Sequence, residues 1–372
     1  MIFLNHGSYG ATPRTILAAQ ARWRARLEAQ PCQFINNEAP SAIRKAASDL
    51  AGFLGAEADD IAFVENTTSG INAVLKSLSF KEGDEVLVTD HVYNAVRNTL
   101  RFVLEPLGAS IAVADVGLPI KEGDDLAAMV LSRVTDATRL ILIDHVASVS
   151  GVVFPVAEIA AKAPVPVLVD GAHAPGMLDL DVPSLGVAHY VGNCHKWLCA
   201  PKGAAFLWTG KDGQVGLHPT VISHDLGKGF TAEFDKLGTR DASPWLCVSD
   251  ALAFHAAHGG PLLRKRNHTV VTKAAAALAE RWETQVGAPS GLFGSMATVR
   301  VPGDLPPTRE TADAMKAFLW RTHRAEVHVM PFCGALWVRL SVQAYNTEAE
   351  CLAIGAMVEE AVRMLPRLAA KV

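Results

Sequence analysis

Four segments of the sequence carry polar or charged residues with useful chemistry, and each follows or lies within an apolar run. The first, residues 65–72, comes directly after such a run and opens a predicted helix with Thr67, Thr68 and Ser69. Free backbone N–H groups at a helix start, together with neighbouring hydroxyls, can hold a phosphate. A plain capped helix start uses the same residue types, so this segment alone leaves both interpretations open.

Asp170 and Lys196 are two charged residues placed to meet in a cleft. Asp170 follows the apolar run 167–169, and His173 comes three residues later. There a carboxylate can hold the positive charge of a heterocycle nitrogen, or it can cap the next turn. Lys196 lies between two apolar runs, where desolvation would lower its pKa and favour the neutral amine that attacks aldehydes. A lysine on a surface loop is the alternative.

Arg339 lies inside the apolar run 337–341. A buried guanidinium is unfavourable unless it is paired. A bound carboxylate would pair with it through two hydrogen bonds, and a structural ion pair is an equal alternative. Together the four segments fit a phosphate, a ring nitrogen, an aldehyde and an amino-acid carboxylate. This set predicts pyridoxal phosphate (PLP) as the cofactor and an amino acid as the small-molecule substrate.

The composition excludes several other classes of protein. The 372 residues include 34 Lys and Arg against 38 Asp and Glu, and a net charge of −4 argues against a nucleic-acid partner. No run approaches the roughly 20 apolar residues of a membrane helix, and the N-terminus lacks the pattern of a secretion signal. Six scattered cysteines without a CxxC pair favour reduced thiols. We therefore expect a cytoplasmic protein with no membrane partner and no metal site.

Short β-branched runs alternate with segments of helical length, which predicts an α/β fold with a mostly parallel sheet. After about Gly260 the pattern changes to a long helix followed by strands and helices of a smaller α+β domain. The predicted strands of the first part are 61–64, 85–88, 110–114, 140–143, 167–169, 189–192 and 204–208. Those of the second part are 297–301, 326–329 and 336–340.

The order of these motifs resembles that of fold type I PLP-dependent enzymes of the class V aminotransferase family, and within it the isopenicillin N epimerase-like subgroup. The resemblance implies a seven-stranded-type sheet with helices on both faces. It also implies a large PLP-binding domain over 15–258, a small domain built from 1–14 and 259–372, and a homodimer with shared active sites. The matching segments are 4–10, 66–72, 90–95, 170–176, 195–197, 238–241, 339–341 and 344–346.

The resemblance also implies a role for individual residues. Lys196 forms the internal aldimine with the cofactor and then acts as general base at Cα. Asp170 pairs with the protonated pyridine nitrogen, and His173 approaches the phenolic oxygen. Arg339 grips the substrate α-carboxylate.

Further roles implied by the resemblance concern the phosphate, the ring and the substrate mouth. Tyr93 stacks on the ring, with His91 in its place if the alignment slips by two residues. Thr239 reaches the phosphate of the neighbouring subunit. Thr67, Thr68 and His195 bind the phosphate, and Asn193 stands where relatives often carry Ser. The substrate mouth is lined by the segment 5–9, including Asn5, His6 and Tyr9.

The sequence leaves open which reaction step comes after removal of the Cα proton. The overall motif set favours an epimerase or racemase, with a C–S lyase, a cysteine desulfurase-like enzyme or an aminotransferase as alternatives. A non-catalytic PLP-binding module is the alternative from a different class. An epimerase needs a second acid, for which Tyr93, His91 and His6 are candidates. A desulfurase needs a nucleophilic thiol, but Cys333, only six residues before Arg339, is predicted to be structural.

Overall fold

The computed structural model describes residues 1–369. Twelve strands form three sheets within that range. They are β1 (Ile2–Phe3), β2 (Ile61–Val64), β3 (Glu85–Thr89), β4 (Ser110–Ala114), β5 (Thr138–Asp144), β6 (Val167–Gly171), β7 (His189–Asn193), β8 (Ala205–Thr209), β9 (Met296–Arg300), β10 (Ala325–Glu326), β11 (His328–Phe332) and β12 (Ala335–Ser341).

Fourteen α-helices surround these sheets, with a π-helical segment at Phe34–Glu38 and several short 3₁₀ turns. The helices are α1 (His6–Tyr9), α2 (Arg14–Ala29), α3 (Pro31–Gln33), α4 (Ala39–Leu54), α5 (Thr67–Ser77), α6 (Asn94–Leu104), α7 (Leu126–Leu131), α8 (Val156–Lys162), α9 (Phe230–Asp235), α10 (Ser243–Leu246), α11 (Val248–Ala257), α12 (Pro261–Arg281), α13 (Arg309–His323) and α14 (Glu348–Ala369). None of the helices within residues 1–369 combines the length and apolar character needed to cross a bilayer.

The central sheet has seven strands in the order β2-β8-β7-β6-β5-β3-β4. Only β8 pairs antiparallel with its neighbours, so the sheet is mostly parallel. Side chains of successive residues point to opposite faces of a strand. Accordingly Ile141 and Ile143 belong to one hydrophobic core, and Leu140 and Leu142 belong to the core on the other face. Both faces are therefore covered, which explains the unbroken apolar runs in the sequence.

A smaller α+β domain follows α11. Its antiparallel sheet has the order β11-β12-β9, and α12 and α13 pack against it. The N-terminal strand β1 pairs with β10, and Asn5 forms a bridge to Ser341 at the end of β12. The chain start is therefore held beside the strand that carries Arg339. The exact boundaries predicted for the two domains stay a prediction.

The predicted fold class is confirmed, and the differences concern short or fully buried elements. The strand predicted at 326–329 is divided into β10 and β11 around Val327. The three helices α9, α10 and α11 had no counterpart in the sequence prediction. Helix α11 is apolar on most of its surface and packs against α4, so it lacks the periodicity by which an amphipathic helix is recognised.

Candidate active site

A cavity of about 570 Å³ opens at the carboxyl ends of the parallel strands. Ligands of open α/β sheets bind at this edge, because the strand ends and the following helix starts converge there. The residues that line the cavity are Ser8, Tyr9, Glu65, Asn66, Thr67, Thr68, Ser69, Tyr93, Asp144, Ser148, Asp170, Ala172, His173, Asn193, His195, Lys196, Lys202 and Gly203.

One end of the cavity is the start of α5. Asn66 caps this helix by accepting a hydrogen bond from the Ser69 N–H at 2.9 Å, and Asn193 Oδ1 accepts from the Thr67 N–H at 3.0 Å. The Thr67 hydroxyl oxygen is buried and has no hydrogen-bond partner. A buried unsatisfied hydroxyl at a helix N-terminus fits an anionic ligand that the polypeptide itself does not supply. This end of the cavity therefore suits a phosphate.

The floor of the cavity is formed by the end of β6. Asp170 is buried, accepts a hydrogen bond from the Ala172 N–H at 3.0 Å, and has a pKa raised to about 6 by its burial. His173 accepts a hydrogen bond at Nδ1 from the Trp197 indole at 3.4 Å, and burial lowers its pKa well below the usual range. A neutral His173 that accepts at Nδ1 carries its proton on Nε2.

Lys196 lies on the loop after β7, directly above this floor. Its Nζ is 3.1 Å from Nε2 of His173. Because that Nε2 carries the proton, the short contact requires Lys196 to accept it as a neutral amine. Burial lowers the pKa of Lys196 to about 7, against the opposing effect of Asp170. A neutral lysine amine near physiological pH is the form that can attack an aldehyde or take a proton.

Arg339 lies just behind the cavity wall and is 1% exposed. Its Nη2 donates to Asn5 Oδ1 at 3.2 Å and to Ser8 Oγ at 3.5 Å, its Nη1 donates to the Ser148 carbonyl, and its Nε has no partner. Within residues 1–369 no carboxylate lies at ion-pair distance from the guanidinium, whose pKa burial lowers to about 10. The structural ion pair considered from the sequence therefore has no partner here.

The close packing around Arg339 depends on Gly7. A Cβ at this position would lie 2.6 Å from the Met296 sulfur and 3.2 Å from Arg339 Nη2. Helix α1 can therefore bring Ser8 and Tyr9 to the cavity only with glycine at residue 7. Arg339 itself does not line the cavity, but its partners Ser8 and Ser148 do.

Not all of the predicted residues reach the cavity. Tyr93 and Tyr9 line it and are 48% and 76% exposed, whereas His91 is buried between Ser150 Oγ at 2.8 Å and the Gly117 carbonyl at 3.0 Å. His6 is held by the Tyr345 hydroxyl and by the Lys196 carbonyl, and it does not line the cavity.

Asn5 and Thr239 also lie outside the cavity of their own chain. Asn5 donates to Glu326 at 2.9 Å and accepts from Arg339, so it acts on the site through the guanidinium. Thr239 is exposed, and the next residue, Arg240, is 3.1 Å from Glu65 at the cavity rim.

The sequence interpretation missed Asp144 and Ser148, which both line the cavity. Asp144 is the last residue of β5, and the register of the sheet places it beside Asp170. The available signal was a second aspartate that ends an apolar run, as Asp170 does. Ser148 lies in an irregular turn after β5, where no local pattern indicates proximity to Arg339.

The family model for class-V aminotransferases matches residues 11–300. The chain belongs to the class-V aminotransferase family. This membership agrees with the charges and the anion site of the cavity, and the cofactor of this class-V enzyme is PLP.

Two similar proteins in other organisms carry different names. The chain is 33% identical to "Putative L-cysteine desulfhydrase 1" of Oryza sativa subsp. japonica, over 81% of this chain and 67% of the relative. It is 32% identical to "Isopenicillin N epimerase" of Amycolatopsis lactamdurans, over 93% of this chain and 92% of the relative. The relatives thus include one protein named as a putative desulfhydrase and one named as an epimerase.

Among solved structures, the fold resembles that of a mutant of C-DES, a cystine C–S lyase, in which glycine is covalently linked to the PLP cofactor. The TM-score is 0.80 at 21% identity, and the match covers 96% of each chain. This likeness establishes fold type I for the class-V enzyme.

Proposed function

We propose that this class-V enzyme is a C–S lyase that acts on a small amino acid with a sulfur atom on Cβ, for which L-cysteine is the simplest example. In this reaction the Cα proton leaves first, and the Cβ–S bond then breaks with the electron pair going to sulfur. Protonation of the sulfur gives a thiol, or hydrogen sulfide from cysteine. Addition of water to the remaining unsaturated amine gives pyruvate and ammonia, so no oxidant or reductant is needed.

The observation that carries this proposal is that the cavity offers one well-placed base and no thiol. The contact between Lys196 and His173 holds a neutral amine at the cavity floor. Elimination requires this single base at Cα and no second acid on the opposite face. None of the lining residues within the described chain is a cysteine. The cavity wall therefore offers no thiol that could carry a persulfide.

Each group of cavity residues has its own task in this reaction. We assign the phosphate to Thr67, Thr68, Asn193 and His195, and the ring nitrogen to Asp170. When bound, PLP accepts the electrons left at Cα after proton removal. Arg339 and the side chains around it bind and orient the substrate carboxylate, and Lys196 moves the Cα proton.

The position of Cys333 argues against a desulfurase. Phe332 pairs with Ala335, so Cys333 and Gly334 form a two-residue hairpin turn with φ values of +47° and +70°. Such a turn is short and conformationally restricted. Cys333 is exposed at this turn, and partial desolvation still raises the pKa of its thiol, which disfavours the nucleophilic thiolate. A rigid turn with a weakly acidic thiol argues against Cys333 as a persulfide carrier.

Epimerisation is the second candidate, and one observation favours it. Of the three candidate acids, only Tyr93 lines the cavity; His91 and His6 are buried with both ring nitrogens engaged by other groups. A phenol at the cavity wall can return a proton to the face of Cα that Lys196 does not reach. The epimerase hypothesis thus depends on Tyr93 alone.

One experiment separates the two candidates. The holoenzyme is incubated in deuterated buffer with L-cysteine and, separately, with L-alanine, and sulfide, pyruvate, Cα deuteration and D-enantiomer are measured. We expect sulfide and pyruvate in equal amounts from cysteine, and Cα exchange without D-alanine from alanine. Formation of D-alanine that is abolished by Tyr93→Phe would contradict the lyase hypothesis and favour the epimerase hypothesis. Sulfide formation that disappears in Cys333→Ser would indicate a desulfurase.

We further propose that the enzyme is a homodimer in which Thr239 contacts the phosphate bound by the partner subunit. The exposure of Thr239 and the ion pair that holds Arg240 to Glu65 support this arrangement. Sedimentation velocity of the holoenzyme tests it directly. A monomer at micromolar concentration would contradict it.

A further inference from the structure

Two aspartates, rather than one, lie on the floor of the PLP cavity. Asp144 ends β5 and Asp170 lies near the end of β6, and the two are direct partners in the parallel register. Their Cα atoms are therefore about 5 Å apart, and their side chains leave the sheet on the same face. Both carboxyl groups line the cavity.

Asp144 has no partner that explains its burial. The residue is 3% exposed, and its Oδ2 has no hydrogen-bond partner. Neither Asp144 nor Asp170 forms an ion pair at 4 Å or less with any cation among residues 1–369. A buried carboxylate in this situation would bear the full cost of its lost hydration.

The charges on the floor do not balance if both aspartates are ionised. The pyridine nitrogen of the cofactor supplies one positive charge, which Asp170 alone can match. Two buried carboxyl groups at paired strand positions disfavour each other's ionisation, so we expect them to hold one proton between them. The charged groups that act on Asp144 are Asp170, which disfavours its ionisation, and Lys196, which favours it.

We propose that Asp144 is a protonated carboxylic acid in the working holoenzyme and shares its proton with the Asp170 carboxylate. The floor of the cavity then carries a single negative charge, located on the aspartate that faces the ring nitrogen. Asp144 is a positioning residue, because it acts on the cofactor through Asp170. The inference goes beyond the proposed reaction and holds whether the enzyme eliminates or epimerises.

The direction of the two pKa values agrees with this division. Burial and the neighbouring Asp170 raise the pKa of Asp144 well above its usual range, whereas the pKa of Asp170 rises only to about 6. At pH 8 Asp170 is therefore ionised, and of the two carboxyl groups Asp144 is the one that holds a proton more strongly. Asp235 is a half-buried aspartate outside the cavity whose pKa is raised to about 6 by burial, and it too is ionised at pH 8.

Infrared spectroscopy of the holoenzyme at pH 8 detects this proton directly. A protonated carboxyl has a C=O stretching band, separate from the carboxylate bands, that shifts in deuterated buffer. We expect this band in the wild type and its loss in Asp144→Asn. The matched control Asp235→Asn makes the same isosteric change at a half-buried aspartate paired with Arg44, and it should leave the band unchanged.

Cofactor retention supplies a second readout. Asp144→Asn preserves a neutral group at residue 144, so its dissociation constant for PLP should change by less than about threefold. Asp170→Asn removes the floor's only negative charge and should bind PLP at least about tenfold more weakly. If Asp144→Asn does not fold, Asp144→Ser provides the same neutral substitution in a smaller side chain.

Two results would overturn the inference. The first is the absence of a carboxylic-acid band in the wild type at pH 8, or its persistence in the Asp144 variants. The second is loss of PLP from Asp144→Asn to the same extent as from Asp170→Asn, since that would make Asp144 an ionised partner of the ring. A failure of the C–S lyase assay leaves both readouts unaffected, because neither measures turnover.

Discussion

Replacing Arg339 by glutamine should impair substrate binding while leaving the protein as stable as before, or more stable. The guanidinium is buried without a carboxylate partner, and its hydrogen-bond acceptors are the neutral groups of Asn5, Ser8 and Ser148. Removing one member of a buried ion pair usually costs about 3–5 kcal/mol, because a charge is left unpaired. Here the unpaired charge is the one that is removed.

The size of both effects can be worked from the contacts of Arg339. Burial lowers its pKa to about 10, and at roughly 1.4 kcal/mol for each pKa unit the charge costs about 3 kcal/mol in the folded protein. Its hydrogen bonds are donated by a charged group, and their loss offsets about 1.5–3 kcal/mol of that gain. We expect Arg339→Gln to leave the free energy of unfolding unchanged or to raise it by up to about 1 kcal/mol. A charge-assisted bond to substrate is worth about 1.5–3 kcal/mol, so KM should rise by roughly 10- to 150-fold.

The assay combines steady-state kinetics on L-cysteine with urea unfolding monitored by tryptophan fluorescence. Arg44→Gln is the control, because Arg44 forms a genuine ion pair with Asp235 at 2.7 Å, away from the cavity. The control should lose stability and keep its KM. The reasoning would be refuted if Arg339→Gln lost more than about 2 kcal/mol of stability with an unchanged KM. That outcome would make Arg339 a structural residue.

Three further predictions concern the base, the thiol and the phosphate end. The pKa of Lys196 is about 7, and only its neutral amine can capture PLP, so the rate of capture by the apoprotein should rise through pH 7 and level off above it. In Asp170→Asn the rise in capture rate should occur at lower pH, since Asp170 raises the pKa of the lysine. Stopped-flow absorbance measures the capture rate of both proteins. Cys333→Gly should leave sulfide release unchanged and raise the free energy of unfolding by about 1 kcal/mol, because glycine adopts the left-handed conformation at this position without strain. A drop in sulfide release would favour the desulfurase hypothesis instead. Thr67→Val should weaken PLP binding about tenfold and leave the apoprotein at least as stable, because the lost hydroxyl has no partner in the protein. Fluorescence titration with PLP measures the affinity. An unchanged affinity would show that Thr67 does not bind the phosphate.

The fold could be predicted from the sequence wherever the pattern is local. Apolar runs bounded by turn residues located the seven strands of the central sheet, and the change of pattern near Gly260 marked the start of the smaller domain. The start of α4 at Ala39 has no local signal, because the helix continues the π-helical segment before it and has no side-chain cap. Helix α11 is apolar on most of its surface and was missed, because it lacks a clear amphipathic period.

Long-range contacts set the limit for the site. Asp170, His173 and Lys196 are close in the chain and lie at or just after the ends of two adjacent strands, so a local pattern places them at the same edge of the sheet. By contrast, the sequence could not tell that the partners of Arg339 are neutral groups 191 and 334 residues away. Nor could it tell that the sheet register sets Asp144 against Asp170. Such facts depend on strand order and register, which no local pattern encodes.

The charges of the cavity are arranged for a ligand rather than for the protein itself. At one end the Thr67 hydroxyl, at the N-terminus of α5, has no hydrogen-bond partner in the protein, and behind the wall Arg339 has no carboxylate at ion-pair distance within the described residues. On the floor Asp144 and Asp170 have no cation at ion-pair distance among residues 1–369. Each buried polar or charged group without a partner lowers the free energy of unfolding. A phosphate, a pyridine nitrogen and an amino-acid carboxylate can each pair with one of these groups, so groups that are unfavourable for the polypeptide alone provide the binding energy for cofactor and substrate.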